Sequence, residues 1–125
     1  LPMLGPKYNR FGDIWAGLFA KKVCDHEGLA VTINGNATVL HERASDPLVN
    51  IAKEQPGIPV NEHLWENLVE GDYRTVTNSA ANHFRGFDRE YAAHFRRARD
   101  WWLSLYETTS PAGSPKQKQP STVAS

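Results

Sequence analysis

Two short β-like runs on either side of an Asn-Gly turn limit the folds that this chain can adopt. The runs are LAVTI at 29–33 and ATVLH at 37–41, and Asn34 and Gly35 lie between them. An Asn-Gly pair between β-rich runs predicts a hairpin, because both residues tolerate positive φ. Two or three short strands cannot form an independent sheet of ordinary size. We therefore predict an α/β fold, mostly helical with a small β-hairpin, that extends a larger sheet supplied from outside these 125 residues.

The segment before the first run has the apolar spacing of an amphipathic helix from Asp13 to Glu27. Asp13 is predicted to be the N-cap, because its carboxylate can accept hydrogen bonds from the free amides of the first turn. Gly28 is predicted to end the helix, since glycine tolerates positive φ. The predicted buried stripe consists of Ile14, Trp15, Leu18, Phe19, Val23 and Cys24.

Two shorter helices are predicted in the middle of the chain. One runs over 47–54, because proline suits its first position and Ser45 or Asp46 can cap it. The other begins at Asn61 as the cap and is closed by Gly71. Its predicted buried residues are Leu64, Trp65, Leu68 and Val69.

The longest periodic segment, GFDREYAAHFRRARDWWLSLYE at 86–107, predicts a long helix after a polar connection. Its predicted apolar stripe is Phe87, Tyr91, Phe95, Ala98, Trp102 and Leu105. From residue 109 to 125 the chain is rich in Pro, Ser, Gln and Lys, which cannot offset the entropy of ordering. We expect one folded segment over 1–108 and a disordered tail over 109–125.

The balance of charge argues against a nucleic-acid-binding protein. Fourteen basic and fourteen acidic residues cancel, so no global field attracts a polyanion. The arginines between 85 and 99 alternate with aromatic residues, but nearby acids dilute them and the aromatics follow a core stripe. No apolar run approaches the roughly 20 residues of a membrane span, so we expect a soluble chain. The single cysteine, Cys24, excludes an internal disulfide and is expected to pack as a small hydrophobe.

The residues alone show no complete catalytic motif. There is no Gly-rich phosphate loop, zinc pair, nucleophile elbow or closely spaced carboxylate pair. His41, at the end of a β-like run, is either a metal ligand or an ordinary structural or surface histidine. Asp13 is either a catalytic carboxylate or a helix cap. Asp25, near a helix C-terminus, is electrostatically unfavourable and is expected to pair with Lys21 or Lys22, or to make a contact beyond this helix.

Four blocks resemble a known family in residue type, order and spacing. RFGDIWAG, KVCDHEGLAV, HERASDP and AKEQPGI are similar to the C-terminal part of the reversibly glycosylated polypeptides, the plant UDP-arabinopyranose mutase family. The resemblance extends from about Arg10 to Ile58. It implies a GT-A-like glycosyltransferase fold and a protein that acts on a UDP-sugar with a divalent metal, Mn²⁺ or Mg²⁺.

The resemblance also implies roles for individual residues. Asp13 matches the second acid of the family block Arg-Tyr-Asp-Asp-Met-Trp-Ala-Gly and is the candidate catalytic residue. Arg10, Trp15 and Gly17 match its neighbours and are the candidate substrate-binding residues. His41 matches the histidine before the Ala-Ser-Asn-Pro block of the family and is the candidate metal ligand.

This chain departs from the family pattern at Gly12, where the family block has its first aspartate, and at Asp46, where it has asparagine. The acidic motif and the glycosylated arginine of the family have no counterpart in these 125 residues. We therefore expect the chain alone to be inactive. Two alternatives remain open, a non-catalytic helical interaction module and a small independent helical domain, and either a homo- or a hetero-oligomer is compatible with the sequence.

Overall fold

A 3₁₀ turn and six helices form the regular structure in the computed structural model, which describes residues 7–36 and 46–109. The turn is Asn9–Phe11, and the helices are α1 Gly12–His26, α2 Pro47–Glu54, α3 Ile58–Glu62, α4 Leu64–Asn67, α5 Tyr73–Phe87 and α6 Arg89–Thr109. Helices α5 and α6 lie side by side and antiparallel. Arg96 Nη2 donates to Asn82 Oδ1 at 2.6 Å near one end, and Arg74 Nη2 donates to Glu107 Oε1 at 3.1 Å near the other.

Trp15 lies at the centre of an aromatic core and has no exposed surface. Its ring centroid is 4.8 Å from that of Phe84, 5.5 Å from Phe11 and 5.8 Å from Tyr8. These separations lie in the range where aromatic pairs are favourable beyond the area that they bury. The core therefore joins α1, the segment before it and the α5–α6 pair into one unit. No helix within the described ranges combines the length and apolar character needed to cross a bilayer.

The C-terminus of α1 confirms the prediction made for Gly28. This glycine has φ of 68°, a left-handed conformation that a side chain would disfavour. Its N–H donates to the carbonyl of Asp25 at 3.2 Å, and the N–H of Leu29 donates to the carbonyl of Cys24 at 2.8 Å. The two bonds form a Schellman motif, which satisfies carbonyls that the helix end leaves unpaired.

Helix α2 also has the predicted start and end. Asp46 Oδ1 accepts hydrogen bonds from the N–H groups of Leu48 at 2.9 Å and Val49 at 3.4 Å. Pro47 occupies the first helical position and Glu54 the last. The residues that specify the start of α2 lie in the helix or next to it, so the sequence alone was sufficient to predict its bounds.

The predicted α/β fold is wrong for the part of the chain that the structure describes. Residues 29–34 are irregular, and no strand occurs within 7–36 or 46–109. The three large apolar residues of the first run, Leu29, Val31 and Ile33, are 60%, 62% and 96% exposed. A strand needs a neighbour to satisfy its backbone groups, and no described residue supplies one. Without a sheet the expected GT-A-like fold is not found either; the second run, 37–41, lies outside the described residues.

The single helix predicted from Asn61 is replaced by two short helices, α3 and α4. They are separated at His63, which has φ of −115° and ψ of 10°. Asn61 lies within α3 and uses its side chain to accept a hydrogen bond from Trp15, so it does not cap a helix. Leu64 and Leu68 are buried as predicted. Trp65 and Val69, the other two residues of the predicted buried set, are 40% and 56% exposed.

The polar connection expected before the last helix is in fact α5, a central element of the core. Asp72 caps it by accepting from the N–H of Thr75 at 2.8 Å. The buried face consists mainly of small residues: Val76, Thr77, Ser79, Ala80, Ala81 and Phe84. Thr77 and Ser79 satisfy their hydroxyls on backbone carbonyls of their own helix, so polar side chains are buried at little cost. This helix was not predicted from the sequence because its buried face contains so few large apolar residues.

The long last helix is confirmed, with a later start than predicted. Helix α6 begins at Arg89, because Asp88 caps it by accepting from the N–H of Tyr91 at 2.9 Å. Phe87 instead ends α5 and is 50% exposed. Two residues of the predicted stripe near the end of α6 are exposed by 46% and 41%: Trp102 and Leu105. Of the expected disordered tail, 109–125, the first residue ends α6, and the remainder lies outside the described residues.

Candidate functional site

Arg10 connects the 3₁₀ turn to α2 through a forked set of hydrogen bonds. Its Nη2 donates to Asn50 Oδ1 at 2.5 Å and to Glu54 Oε1 at 3.5 Å. Asn50 and Glu54 are four positions apart on α2, so both acceptors lie on the same face of that helix. The ion pair with Glu54 is partly exposed on both sides, so water and salt weaken it.

Asp13 lies three positions further on, exposed in the first turn of α1. The prediction that it caps this helix is wrong, because α1 begins at Gly12 and Phe11 holds the N-cap position without a side-chain bond. The 3₁₀ turn runs directly into α1, which moves the helix start ahead of the aspartate. Asp13 Oδ1 instead accepts from the N–H of Ile14 at 2.9 Å. A carboxylate in this turn is stabilised by the positive end of the helix dipole.

Arg10 and Asp13 line the same open cleft, which we call the Arg10 cleft. It has a volume of about 480 Å³ and is lined by Asn9, Arg10, Asp13, Ile14 and Glu54. A hollow of about 450 Å³ shares two of these residues and is lined by Lys7, Asn9, Arg10, Ala52, Lys53 and Pro56. Together the linings carry three cations and two carboxylates. Arg10 is the cation that the two linings share, and its guanidinium suits an anionic ligand such as a phosphate ester.

The structure separates the other two predicted substrate-binding residues from this cleft. Trp15 is fully buried, and its Nε1 donates to Asn61 Oδ1 at 2.9 Å. Gly17 is exposed on α1, and a Cβ added there would meet no atom within 4 Å in the part of the chain that the structure describes. The substrate-binding role of both residues stays a prediction.

The predicted metal ligand, His41, lies outside the described residues. Within 7–36 and 46–109 no group of three or more His, Cys, Asp or Glu side chains is arranged to hold a metal ion. The donor set of the described part therefore does not fit a complete site for Mn²⁺ or Mg²⁺.

At the far end of α1, Asp25 has the partner that its position demanded. Lys21 Nζ donates to Asp25 Oδ1, one helical turn away. A cation near the helix C-terminus offsets the unfavourable carboxylate there. Cys24 is partly buried and carries no disulfide. This end of the helix is accounted for by local electrostatics and the Gly28 motif.

A second open cleft lies between the N-terminal segment and α6. Its volume is about 340 Å³, and its lining is Lys7, Tyr8, Asp88, Glu90, Tyr91, His94 and Arg97. Lys7 Nζ and Asp88 Oδ2 are 2.7 Å apart and neutralise each other at its rim. Burial raises the pKa of Tyr91, so its hydroxyl stays protonated. The lining of this cleft carries two cations and two carboxylates, so it has no excess of positive charge that would attract a diphosphate.

Asn50, Glu54 and Lys53 are site residues that the sequence interpretation missed. All three lie on α2, which was predicted with the right bounds but only as a short helix. The available signal was the spacing of Asn50 and Glu54, which places two acceptors one turn apart. Nothing in the sequence indicated that their partner would be Arg10, forty positions earlier.

The comparisons with known proteins agree with the blocks that contain Arg10 and Asp13. A family model described as "Reversibly glycosylated polypeptide" matches residues 4–80. The chain is 32% identical over 124 residues to Probable UDP-arabinopyranose mutase 4 of Arabidopsis thaliana, an alignment that covers 90% of this chain and 34% of that protein. It is 28% identical over 131 residues to Probable UDP-arabinopyranose mutase 2 of Solanum tuberosum, which covers 96% of this chain and 35% of that protein.

A shorter alignment is more similar still. UDP-arabinopyranose mutase 3 of Arabidopsis thaliana is 43% identical over 73 residues, which is 58% of this chain and 18% of that protein. The chain thus spans about a third of the length of the first two relatives. No solved structure is significantly similar to it. The match over 4–80 shows that the chain belongs to the reversibly glycosylated polypeptide family.

Proposed function

We propose that this chain forms one wall of the sugar-nucleotide site in a UDP-sugar mutase or transferase. The names of the relatives supply the substrate class. One observation carries the placement of the site. Arg10 and Asp13 line the same open cleft, whereas Trp15 of the same sequence block is buried in the core.

Arg10 is proposed to bind the diphosphate. Among the described residues, both of its hydrogen bonds use Nη2, which leaves the donors on Nε and Nη1 for a ligand. A guanidinium can donate two parallel hydrogen bonds to a phosphate, and such charge-assisted bonds are roughly twice as strong as neutral ones. Lys53 of the adjoining hollow adds to the attraction of the anion, whereas Lys7 is paired with Asp88.

Asp13 is proposed to act on the sugar. An exposed carboxylate beside the phosphate contact can accept a hydrogen bond from a sugar hydroxyl or take its proton. Gly12 leaves Asp13 without the neighbouring aspartate of the family block, so one carboxylate has to serve this end of the cleft.

A divalent metal, Mn²⁺ or Mg²⁺, with His41 as one ligand, is a further part of the proposal and rests on the family resemblance. The described residues do not provide the remaining ligands, so they would come from elsewhere in the complete protein. Replacing His41 by alanine should then weaken metal-dependent binding of UDP, and unchanged binding would remove His41 from the site.

Isothermal titration of the complete encoded protein with UDP, with and without MnCl₂, tests the proposal. Arg10→Ala should weaken UDP binding about tenfold or more, because a charge-assisted hydrogen bond is lost. Arg89→Ala is the matched control, since it removes an exposed arginine from the start of α6. Equal affinities of wild type and Arg10→Ala would contradict the proposal.

A non-catalytic interaction module is the second candidate, and Gly12 favours it because one family carboxylate is missing. The same titration separates the two functions. A pure scaffold would give no heat of binding with UDP in either condition.

A further inference from the structure

We infer that Asn50 and Glu54 of α2 are positioning residues that set how strongly Arg10 attracts the diphosphate; this inference rests on the proposed function. Asn50 accepts the shorter bond from Arg10 Nη2, at 2.5 Å, and Glu54 the longer one, at 3.5 Å. The two residues act on the same atom in opposite ways. Asn50 orients the guanidinium without changing its charge, whereas Glu54 partly neutralises it.

The setting of α2 supports this division of roles. None of its residues is buried, and three of its apolar side chains are exposed: Leu48, Val49 and Ile51. Its polar contact with the rest of the described structure is the pair of bonds to Arg10. The bonds between Arg10 and α2 therefore hold both of them in place. Removing the side-chain amide of Asn50 should free the guanidinium of Arg10 to move.

Glu54 is the last residue of α2, where a carboxylate opposes the negative end of the helix dipole. The charge of Glu54 does not stabilise α2. The residue that stabilises this charge is therefore Arg10. Removing the charge should leave the helix intact and free the guanidinium for a competing anion. A ligand phosphate therefore competes with Glu54 and cooperates with Asn50.

The experiment compares UDP binding by the complete encoded protein and its variants in isothermal titration at low salt. Asn50→Ala should weaken UDP binding about fivefold, the effect of one lost hydrogen bond. Glu54→Gln should strengthen it about two- to threefold, the effect of one screened ion pair. In 1 M NaCl the gain from Glu54→Gln should vanish, because the screening length is then about 3 Å.

Two control variants separate positioning from general damage. Leu48→Ala alters an exposed residue of the same helix, and Glu62→Gln removes the same charge from α3; both should bind UDP like the wild type. Uridine, which lacks the diphosphate, should bind all variants equally. Changes of opposite sign at Asn50 and Glu54, confined to UDP, are not expected from a merely structural role.

The outcomes distinguish the two proposals. If Arg10→Ala weakens UDP binding while Asn50→Ala and Glu54→Gln leave it unchanged, the positioning inference is overturned and the proposed function stands. If the wild type does not bind UDP, or Arg10→Ala binds it normally, the proposed function fails and the inference fails with it.

Discussion

The indole Nε1 of Trp15 donates a hydrogen bond to Oδ1 of Asn61 at 2.9 Å, across forty-six positions of the chain. Trp15 has no exposed surface, and a buried indole N–H needs such a partner. The bond ties α1 to α3 and directs Asn61 away from helix capping. Within the described residues, the tryptophan of the family-like block therefore lies in the core, and Arg10 and Asp13 are the charged residues of the block at the surface.

The first prediction concerns this buried pair. Trp15→Phe removes the indole donor and leaves Asn61 without it, which should lower the free energy of unfolding by about 2 kcal/mol. Urea denaturation followed by far-UV circular dichroism measures the change. Trp101→Phe is the control, because Trp101 is 65% exposed and its replacement should cost less than about 0.5 kcal/mol. Equal losses in the two variants would show that the bond contributes nothing specific.

The second prediction contrasts two glycines of the α1 region. Gly28→Ala should destabilise the protein by about 1 kcal/mol, because alanine is strained at φ of 68°. Gly17→Ala should stabilise it by about 0.5 to 1 kcal/mol, since it lies in an exposed helix with open space around its Cβ position. The midpoint temperature of thermal denaturation should therefore fall in Gly28→Ala and rise in Gly17→Ala.

Gly17→Ala also tests the substrate-binding prediction for that residue. If the variant is more stable but loses UDP-sugar binding in the complete protein, the predicted contact is supported. Normal binding would remove Gly17 from the site.

The third prediction is a dependence of stability on pH. The hydrogen bond from Lys7, followed by that from the Tyr91 N–H, holds the pKa of Asp88 below its ordinary value of 3.8. A carboxylate whose pKa is lower in the folded state stabilises the protein above the unfolded pKa, and this contribution is lost as the pH falls through the folded value. Asp88→Asn should therefore flatten the fall in unfolding free energy below about pH 4.

Lys7→Met supplies a second measurement of the same effect, because it removes the main cause of the lowered pKa. Urea denaturation of each variant is measured at a series of pH values from about 2 to about 7. In both variants the free energy of unfolding should fall less at acid pH than it does in the wild type. An acid limb identical to that of the wild type in Asp88→Asn would rule out this contribution.

The fourth prediction concerns the proposed role of Asp13. Asp13→Asn should lower kcat for UDP-sugar turnover by the complete protein about a hundredfold, the usual scale for loss of a general base. The affinity for UDP should stay within about twofold, since UDP lacks the sugar that Asp13 is proposed to contact. The free energy of unfolding should fall by no more than about 1 kcal/mol, because only the interaction of the charge with the helix dipole is lost and asparagine retains the oxygen that accepts from Ile14. An unchanged kcat would exclude the proposed role.

The parts of the fold that could be predicted depend on neighbouring residues. Asp46 and Pro47 specify the start of α2 within two positions, and Gly28 specifies the end of α1 through its own φ. The wrong predictions arose where the local structure depends on residues that are distant in the sequence. Residues 29–33 have a β pattern but no described strand to pair with, and α5 buries small and polar side chains that resemble a loop.

Sequence by itself determined the family, through several spaced blocks, and the ends of those helices whose caps are local. The tertiary structure alone decided that Trp15 donates to Asn61 and that Arg10 reaches a cleft beside Asn50, because both facts depend on contacts between residues more than thirty positions apart. Such long-range pairings are properties of the packed chain, and no short stretch of sequence carries them. The candidate site is therefore a product of how α2 packs against the 3₁₀ turn Asn9–Phe11 that precedes α1.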